Sequence, residues 1–174
     1  MDTFETIATK LDVREFDSKK QVPKDVKLKV LNAARLTGSG MNSQHWRLIQ
    51  VQDPKSLKQL AEDSTTGQWV AGANFAVILL TDPKLGFHQL DAGRALQDMQ
   101  LAAWNYGVGS RIFTGFDTGR IRKDFGIPNN LELTVVIGFG YPAKKVTGKR
   151  KNRKSLEEIA YLEKYGNKFD PARI

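Results

Sequence analysis

The chain has 174 residues, 40% hydrophobic and 26% charged, with 27 Lys and Arg against 19 Asp and Glu and a net charge of +8. That length suits one compact domain with a real core. The absence of cysteine excludes disulfides, cysteine-ligated clusters and thiol catalysis and fits a reducing cytoplasm. Met1-Asp2-Thr3-Phe4-Glu5 is not a basic-then-apolar leader, and the longest apolar run, Phe75 to Leu80, falls far short of the ~18 residues that span a membrane. The positive balance leaves open an anionic small ligand, an anionic macromolecule such as nucleic acid, or solubility alone.

Thr3 to Lys10 reads as a short helix, with Phe4, Ile7, Ala8 and Leu11 at helical spacing. In Lys10-Leu11-Asp12-Val13-Arg14, extended backbone would put Lys10, Asp12 and Arg14 on one face. Two cations there suit a phosphate, with Arg able to bind it bidentately, or form a plain solvated edge. Val22-Pro23 opens a helix whose Val26, Val30, Ala33 and Ala34 line one face, a core element without chemistry.

Gly38-Ser39-Gly40-Met41-Asn42-Ser43-Gln44-His45-Trp46 follows as a small-residue loop leading into a strand through Leu48, Ile49 and Val51. Asn42, Ser43 and Gln44 can each donate and accept hydrogen bonds. Such a loop suits a planar ligand with amide-like edges or a phosphate, and equally an ordinary helix-to-strand connection. Asp53-Pro54 caps a helix through Leu57, Leu60 and Ala61, and Ser64 to Gly72 reads as a loop or partial helix around Trp69. Phe75 to Leu80 is a strand buried on both faces.

His88 to Tyr106 predicts the longest helix, its broad apolar side including Leu90, Gly93, Ala95, Met99 and Tyr106. His88 and Asp91 read as a surface pair. The two histidines, His45 and His88, form neither a metal nor a triad pattern, and no metal site is expected. Gly107 to Phe116 predicts turn, strand and turn, with Gly115 letting the backbone approach a ligand, and Asp117 caps a helix to Phe125. Leu131 to Gly140 is a second buried strand. From Lys144 to Lys154, seven of eleven residues are basic, which suits a nucleic-acid patch, a solvated loop or a phosphate clamp.

Taken together, these segments resemble the nitroreductase family, the FMN-dependent NAD(P)H oxidoreductases. Ala33-Ala34…Ser39…Asn42-Ser43-Gln44-His45-Trp46 is similar to the family's A-A-x-x-A-P-S-x-x-N-x-Q-P-W, with Thr37-Gly38 for Ala-Pro and His45 for Pro. Lys10, Asp12, Arg14 and Phe16 stand where the family has R-x-S-x-R/K-x-F/Y, Asp12 replacing Ser. Gly107 to Phe116 resembles G-L-G-x-x-x-x-x-G-F, Gly140-Tyr141-Pro142 keeps G-Y-P, and Ser155-Leu156-Glu157-Glu158-Ile159 resembles P-L-E-E-I/V.

The resemblance implies an α+β fold with a mainly antiparallel central sheet flanked by helices, in an intertwined homodimer with two FMN sites at the interface. Residues 1–174 would be one FMN-binding domain, 155–174 forming a tail that wraps the partner. Lys10, Asp12, Arg14, Lys151 and Arg153 would face the FMN phosphate and ribityl chain. Gly38, Ser39, Gly40, Asn42 and Gln44 would face the flavin, and Thr114 and Gly115 would lie at its N5. No catalytic side chain is implied. NADH or NADPH would be the donor, and a nitroaromatic, quinone or similar small molecule the acceptor, in ping-pong order. The family's basic residue near flavin N1 and O2 has no counterpart recognisable between Ser64 and Gly72. Thr114 stands where several family enzymes carry Glu. That change and Asp12 leave room for a dehalogenase or flavin-consuming relative, or a flavin binder without catalysis. A basic nucleic-acid-binding protein is the remaining alternative.

Overall fold

A computed structural model of the chain describes residues 1–146 and 151–173. Among them are five α-helices and one four-stranded sheet. The helices are α1 (Thr3–Thr9), α2 (Lys24–Leu36), α3 (Pro54–Glu62), α4 (His88–Asn105) and α5 (Thr118–Asp124). The strands are β1 (Arg47–Val51), β2 (Phe75–Thr81), β3 (Gly109–Phe113) and β4 (Glu132–Gly140). Their order is β1-β2-β4-β3, and every pairing is antiparallel, as the α+β expectation required.

The central strands explain the continuous apolar runs. β2 is buried along its whole length because both faces of the sheet are covered. On one face α2 and α4 bury Val26, Val30, Ala95 and Met99 against Phe75, Val77 and Ile137. On the other, α3, α5 and a 3₁₀ turn at Gln68–Gly72 bury Leu57, Leu60, Val70 and Ile121 against Ile78, Leu80 and Val136. Each fully buried Leu, Ile or Val contributes roughly 1.5–3 kcal/mol.

Caps set the helix ends. The carboxylates of Asp2, Asp53 and Asp117 accept from the backbone N–H groups of Glu5, Ser56 and Arg120. Pro23 sits one residue before α2, as its N-cap. The apolar side of α4 is narrower than its composition predicts. Ala92, Ala95, Met99 and Ala103 are buried, whereas Leu90 is 70% exposed and Gly93 and Tyr106 also face outward. Leu90 and Gly93 lie off the stripe that meets the sheet and α2, and Tyr106, at the end of the helix, carries Lys29 of α2 over its ring at 4.5 Å.

Candidate functional site

Both ends of the chain meet at the start of β3. Asp12 forms a single parallel bridge with Ser110, and the Ser110 side chain is held by Gln100 of α4 at 3.0 Å. Val13 packs against Gly109, where an added Cβ would fall 2.3 Å from a Val13 methyl. This close approach brings Lys10 and Asp12 to the strand edge, and they pair at 2.6 Å. From the far end of the chain, Lys151 reaches the Ile7 carbonyl at 2.6 Å. Burial depresses the Lys151 pKa, and the charges of Arg153 and Lys10 depress it further, while Asp12 pulls the other way. Lys10, Asp12, Lys151 and Arg153 therefore share one field with three cations and one carboxylate, a place where an anion would be stabilised.

Arg14 lies two residues beyond Asp12, exposed, in a shallow depression shared with Glu15, Pro142 and Lys144. Most of the described basic run is exposed. Lys144 pairs with Glu15 at 3.3 Å, and Lys145 lines a cavity of about 440 Å³ with Lys20, Trp104 and Tyr141. Lys149 and Arg150 lie outside the described residues.

β3 leads from this cluster to the turn at Thr114 and Gly115. The Gly115 carbonyl accepts from the N–H groups of Thr65 (2.8 Å) and Thr66 (3.3 Å). A Cβ at Gly115 would fall 2.5 and 2.6 Å from the Thr66 and Thr65 hydroxyls, so glycine is required for this docking. Beneath the loop, the Asp63 carboxylate meets Arg120 at 2.9 Å, and burial raises its pKa. From Ser110 to Gly115 is five residues of extended chain, about 17 Å at 3.3 Å per residue.

The loop from Gly38 to His45 is built differently. Its left-handed residues are Met41, Asn42 and Gln44, with φ of 51°, 52° and 46°, rather than its glycines. Non-glycine residues in this region carry strain that the surroundings must hold. Gly40 is needed for space instead, since a Cβ there would sit 2.7 Å from the Phe87 ring. The holding group is Asp91 of α4. Its carboxylate accepts from the Gly40 N–H at 2.9 Å and lies 3.4 Å from His45 Nε2, with both side chains almost wholly buried. His45 Nδ1 accepts from the Asp82 N–H at 3.4 Å, which directs the ring proton to Nε2, a buried atom beside Asp91 that forms no hydrogen bond. Asp91 is thus not the surface partner of His88, which bonds Thr81 instead. The spacing of three hid this, because Asp91 turns inward to a loop distant in sequence.

At the tip of this loop the Gln44 amide bonds Asn42 Oδ1 at 3.2 Å, leaving an amide donor of Asn42 and the carbonyl of Gln44 facing outward. The Ser39 hydroxyl accepts from the Gln44 N–H, so its own proton is free to donate.

Apart from Arg14, which stands exposed beside the cationic cluster, the sequence-derived site residues fall into two groups. Lys10, Asp12, Lys151 and Arg153 gather at one end of β3, and Thr114 and Gly115 lie at the other. Gly38, Ser39, Gly40, Asn42 and Gln44 stand apart. Their anchor, Asp91, and Trp104, which bonds Thr9 beside the cationic cluster, are 13 residues apart on α4, about 20 Å of helix. Among the described residues no group of acidic, His or Cys side chains could hold a metal ion, and no helix is long and apolar enough to cross a membrane.

The family model described as "Nitroreductase family" matches residues 7–87 and 67–141. The chain belongs to the nitroreductase family. A protein of Archaeoglobus fulgidus, provisionally named NADH dehydrogenase/NAD(P)H nitroreductase, is 30% identical over 97% of this chain and 93% of its own length. The crystal structure of a nitroreductase family protein from Clostridium difficile 630 superposes with a TM-score of 0.83 at 27% identity, covering 94% of this chain and 99% of that one. An FMN-dependent nitroreductase from Clostridium difficile R20291 has a TM-score of 0.84 at 21% identity, over 92% and 99% of the two chains, and speaks for the fold alone. The fold of this nitroreductase family member is therefore the one its motifs implied.

Proposed function

We propose that this nitroreductase family enzyme moves electrons from NADH or NADPH to a nitroaromatic, quinone or similar conjugated acceptor, with FMN as its bound cofactor. The observation that carries this reading is the convergence of Lys10, Lys151 and Arg153, from opposite ends of the chain, on the edge of β3. Three cations answered by one carboxylate, with Lys151 titrating below its ordinary range, fit a terminal phosphate of about −1.5 to −2 charge. Lys10, Arg14, Lys151 and Arg153 would hold that phosphate. Asp12, turned to Lys10, orients the ammonium rather than meeting the phosphate. Thr114 and Gly115 lie where β3 ends, and the missing Cβ at Gly115 lets the Thr65–Thr66 loop dock there and fix the turn that would face the ring.

FMN, when bound, supplies reversible two-electron chemistry that accepts a hydride and passes electrons on. This chain's residues bind, orient and exclude water. Asn42 and Gln44 present one outward donor and one acceptor, a match for an amide-like edge, and Ser39 adds a donor. Because this loop stands about 20 Å along α4 from the cationic cluster, one chain does not bring both to one small molecule. A second copy of the chain would complete each site, in a homodimer with two composite sites. The exposed Leu90, and the largely exposed 155–173 arm with Leu156, Ile159 and Tyr165 uncovered, are surfaces a partner would cover. Residues 1–174 then act as one FMN-binding unit, its donor and acceptor taking turns at a shared face in ping-pong order.

The test is direct. The purified protein should show flavin absorption and release FMN on heat denaturation, and it should oxidise NADH or NADPH with menadione or nitrofurazone present. Bound FMN without turnover would favour a flavin binder of another activity. A colourless protein that takes up no added FMN, yet binds nucleic acid tightly and with strong salt dependence, would replace the reading altogether.

A further inference from the structure

We propose that the cleft between the end of α4 and the Tyr141–Val146 turn is a second small-molecule site, which takes a flat aromatic ring bearing one carboxylate. The residues that build it, Lys20, Trp104, Tyr141 and Lys145, take no part in the FMN site.

The walls of the cleft are tied together by bonds between distant segments. Trp104 of α4 donates its Nε1–H to the Thr9 hydroxyl at 3.0 Å, which sets the indole against α1. The Tyr141 carbonyl accepts from the Asp17 N–H at 2.8 Å, and the Glu15 carbonyl accepts from the Ala143 N–H at 3.0 Å. Pro142 lies between them, bridged to Phe16. The Asp17 carbonyl in turn accepts from the Lys20 N–H at 3.2 Å, so Lys20 is held beside the same turn. Trp104 and Tyr141 are each half-buried, and both line the cleft, whose volume is about 440 Å³. That falls within the roughly 300–1,000 Å³ of small-molecule pockets, which combine aromatic walls with a few convergent polar groups. The uncovered parts of two aromatic rings leave apolar surface that a third flat ring would remove from water.

Charge selects what enters. Among the described residues Lys20, Lys144 and Lys145 line the cleft, and no Asp or Glu does. The nearby carboxylates are engaged elsewhere: Glu15 pairs with Lys144 at 3.3 Å, and Asp17 accepts from the Lys19 N–H at 2.9 Å. Among the described residues Lys20 and Lys145 form no ion pair. Their aliphatic stems extend the apolar walls while their ammoniums stay at the mouth. An aromatic interior with two unanswered cations at its mouth matches a ring that enters first and leaves its carboxylate outside. A bare phosphate would leave the aromatic walls uncovered, and a neutral ring would leave both ammoniums unanswered. Because Lys20 and Lys145 are exposed, each contributes modestly and is screened by salt.

The probe is β-naphthoate, titrated calorimetrically into the wild-type protein kept in saturating FMN, so that the cofactor's own anion site is filled. It should bind with a Kd below about 1 mM, and the Trp104 indole N–H signal should shift in heteronuclear NMR. The neutral isostere β-naphthamide should bind about tenfold more weakly. A Lys20→Gln, Lys145→Gln double variant, changed at two exposed positions, should weaken naphthoate about tenfold, lose the preference over naphthamide and keep the wild-type affinity for FMN. A wild-type protein that binds no naphthoate overturns the proposal. So does a double variant that binds it as the wild type does, because the anion then sits elsewhere. A wild-type protein that takes up no FMN overturns the FMN reading instead, and the naphthoate titration still decides the cleft.

Discussion

The two halves of the proposed FMN site are made in opposite ways. The cationic half consists of long side chains on exposed chain segments, drawn together by one short ion pair and one backbone contact. The Gly38–His45 half is backbone shape, with three left-handed residues held by a buried carboxylate of α4. Charge tolerates loose placement, because Coulomb energy falls gradually with distance. A hydrogen-bonding edge does not, because its bonds weaken steeply with angle. The fold therefore spends its most deeply buried contacts on the loop and leaves the proposed phosphate end to long lysine and arginine side chains.

The largest effect should come from removing the loop's anchor. Asp91→Ala leaves the Gly40 N–H without its acceptor and His45 without the carboxylate 3.4 Å away, in a site only 2% exposed. It should destabilise the apoprotein by ~3 kcal/mol in urea unfolding, within the range for breaking a buried pair. Unchanged stability would mean the loop is held by its aromatic packing on Phe87 and Trp46 alone.

Gly115→Val comes next. The added carbons collide with Thr65 and Thr66, whose N–H groups hold the Gly115 carbonyl. FMN affinity should fall at least tenfold, with a stability loss of ~1–3 kcal/mol from the forced shift. Normal FMN binding by this variant would mean that the Thr114–Gly115 turn does not face the ring.

How far this contrast could be read beforehand follows from its physics. The strands and helices were legible, since apolar runs and 3.6-residue spacing report burial directly: Phe75 to Leu80 and Val26-Val30-Ala34 behave as their patterns say. That Lys10, Lys151 and Arg153 lie near one another agrees with the motif order, while their grip on a phosphate belongs to the proposal above. The loop's anchor was not. Asp91 and His45 are 46 residues apart, and nothing local marks a helix carboxylate that turns inward. Nor was the left-handed backbone at Met41 and Gln44 legible, since positive φ favours glycine and the neighbouring Gly38 and Gly40 do not carry it.

At the cationic half the effects should be smaller and should depend on pH. Arg153→Ala removes one charged partner of the phosphate and should weaken FMN binding about tenfold, or ~1.5 kcal/mol. An unchanged equilibrium titration would reject the role. Lys151 adds a sign. Its pKa is depressed in the free protein by burial and by Arg153 and Lys10, and a bound phosphate would restore it toward its ordinary 10.5. Proton and ligand then favour each other. FMN affinity should be level below the depressed pKa, and fall as pH rises through the window between that value and the restored one. Lys151→Arg, charged throughout, should flatten that decline, and an identical decline in the variant would show that another group titrates.

The smallest effect should come from Asp12→Ser. The Lys10–Asp12 pair is partly exposed, with the Asp12 side chain 55% accessible, so its loss costs at most about 1 kcal/mol of stability. What changes is the field. Among the described residues, Asp12 is the carboxylate that pulls the Lys151 pKa upward, against Arg153 and Lys10. Without it the cluster carries one more net positive charge, so the free-protein pKa of Lys151 should fall further and the alkaline decline of FMN affinity should begin at a lower pH. Below that decline a phosphate should be held about threefold more tightly, a gain of well under 1 kcal/mol that agrees with a partly solvated charge. A loss of affinity instead would mean that Asp12 leaves Lys10 when FMN arrives and accepts a ribityl hydroxyl, making the carboxylate part of the grip rather than a brake on it.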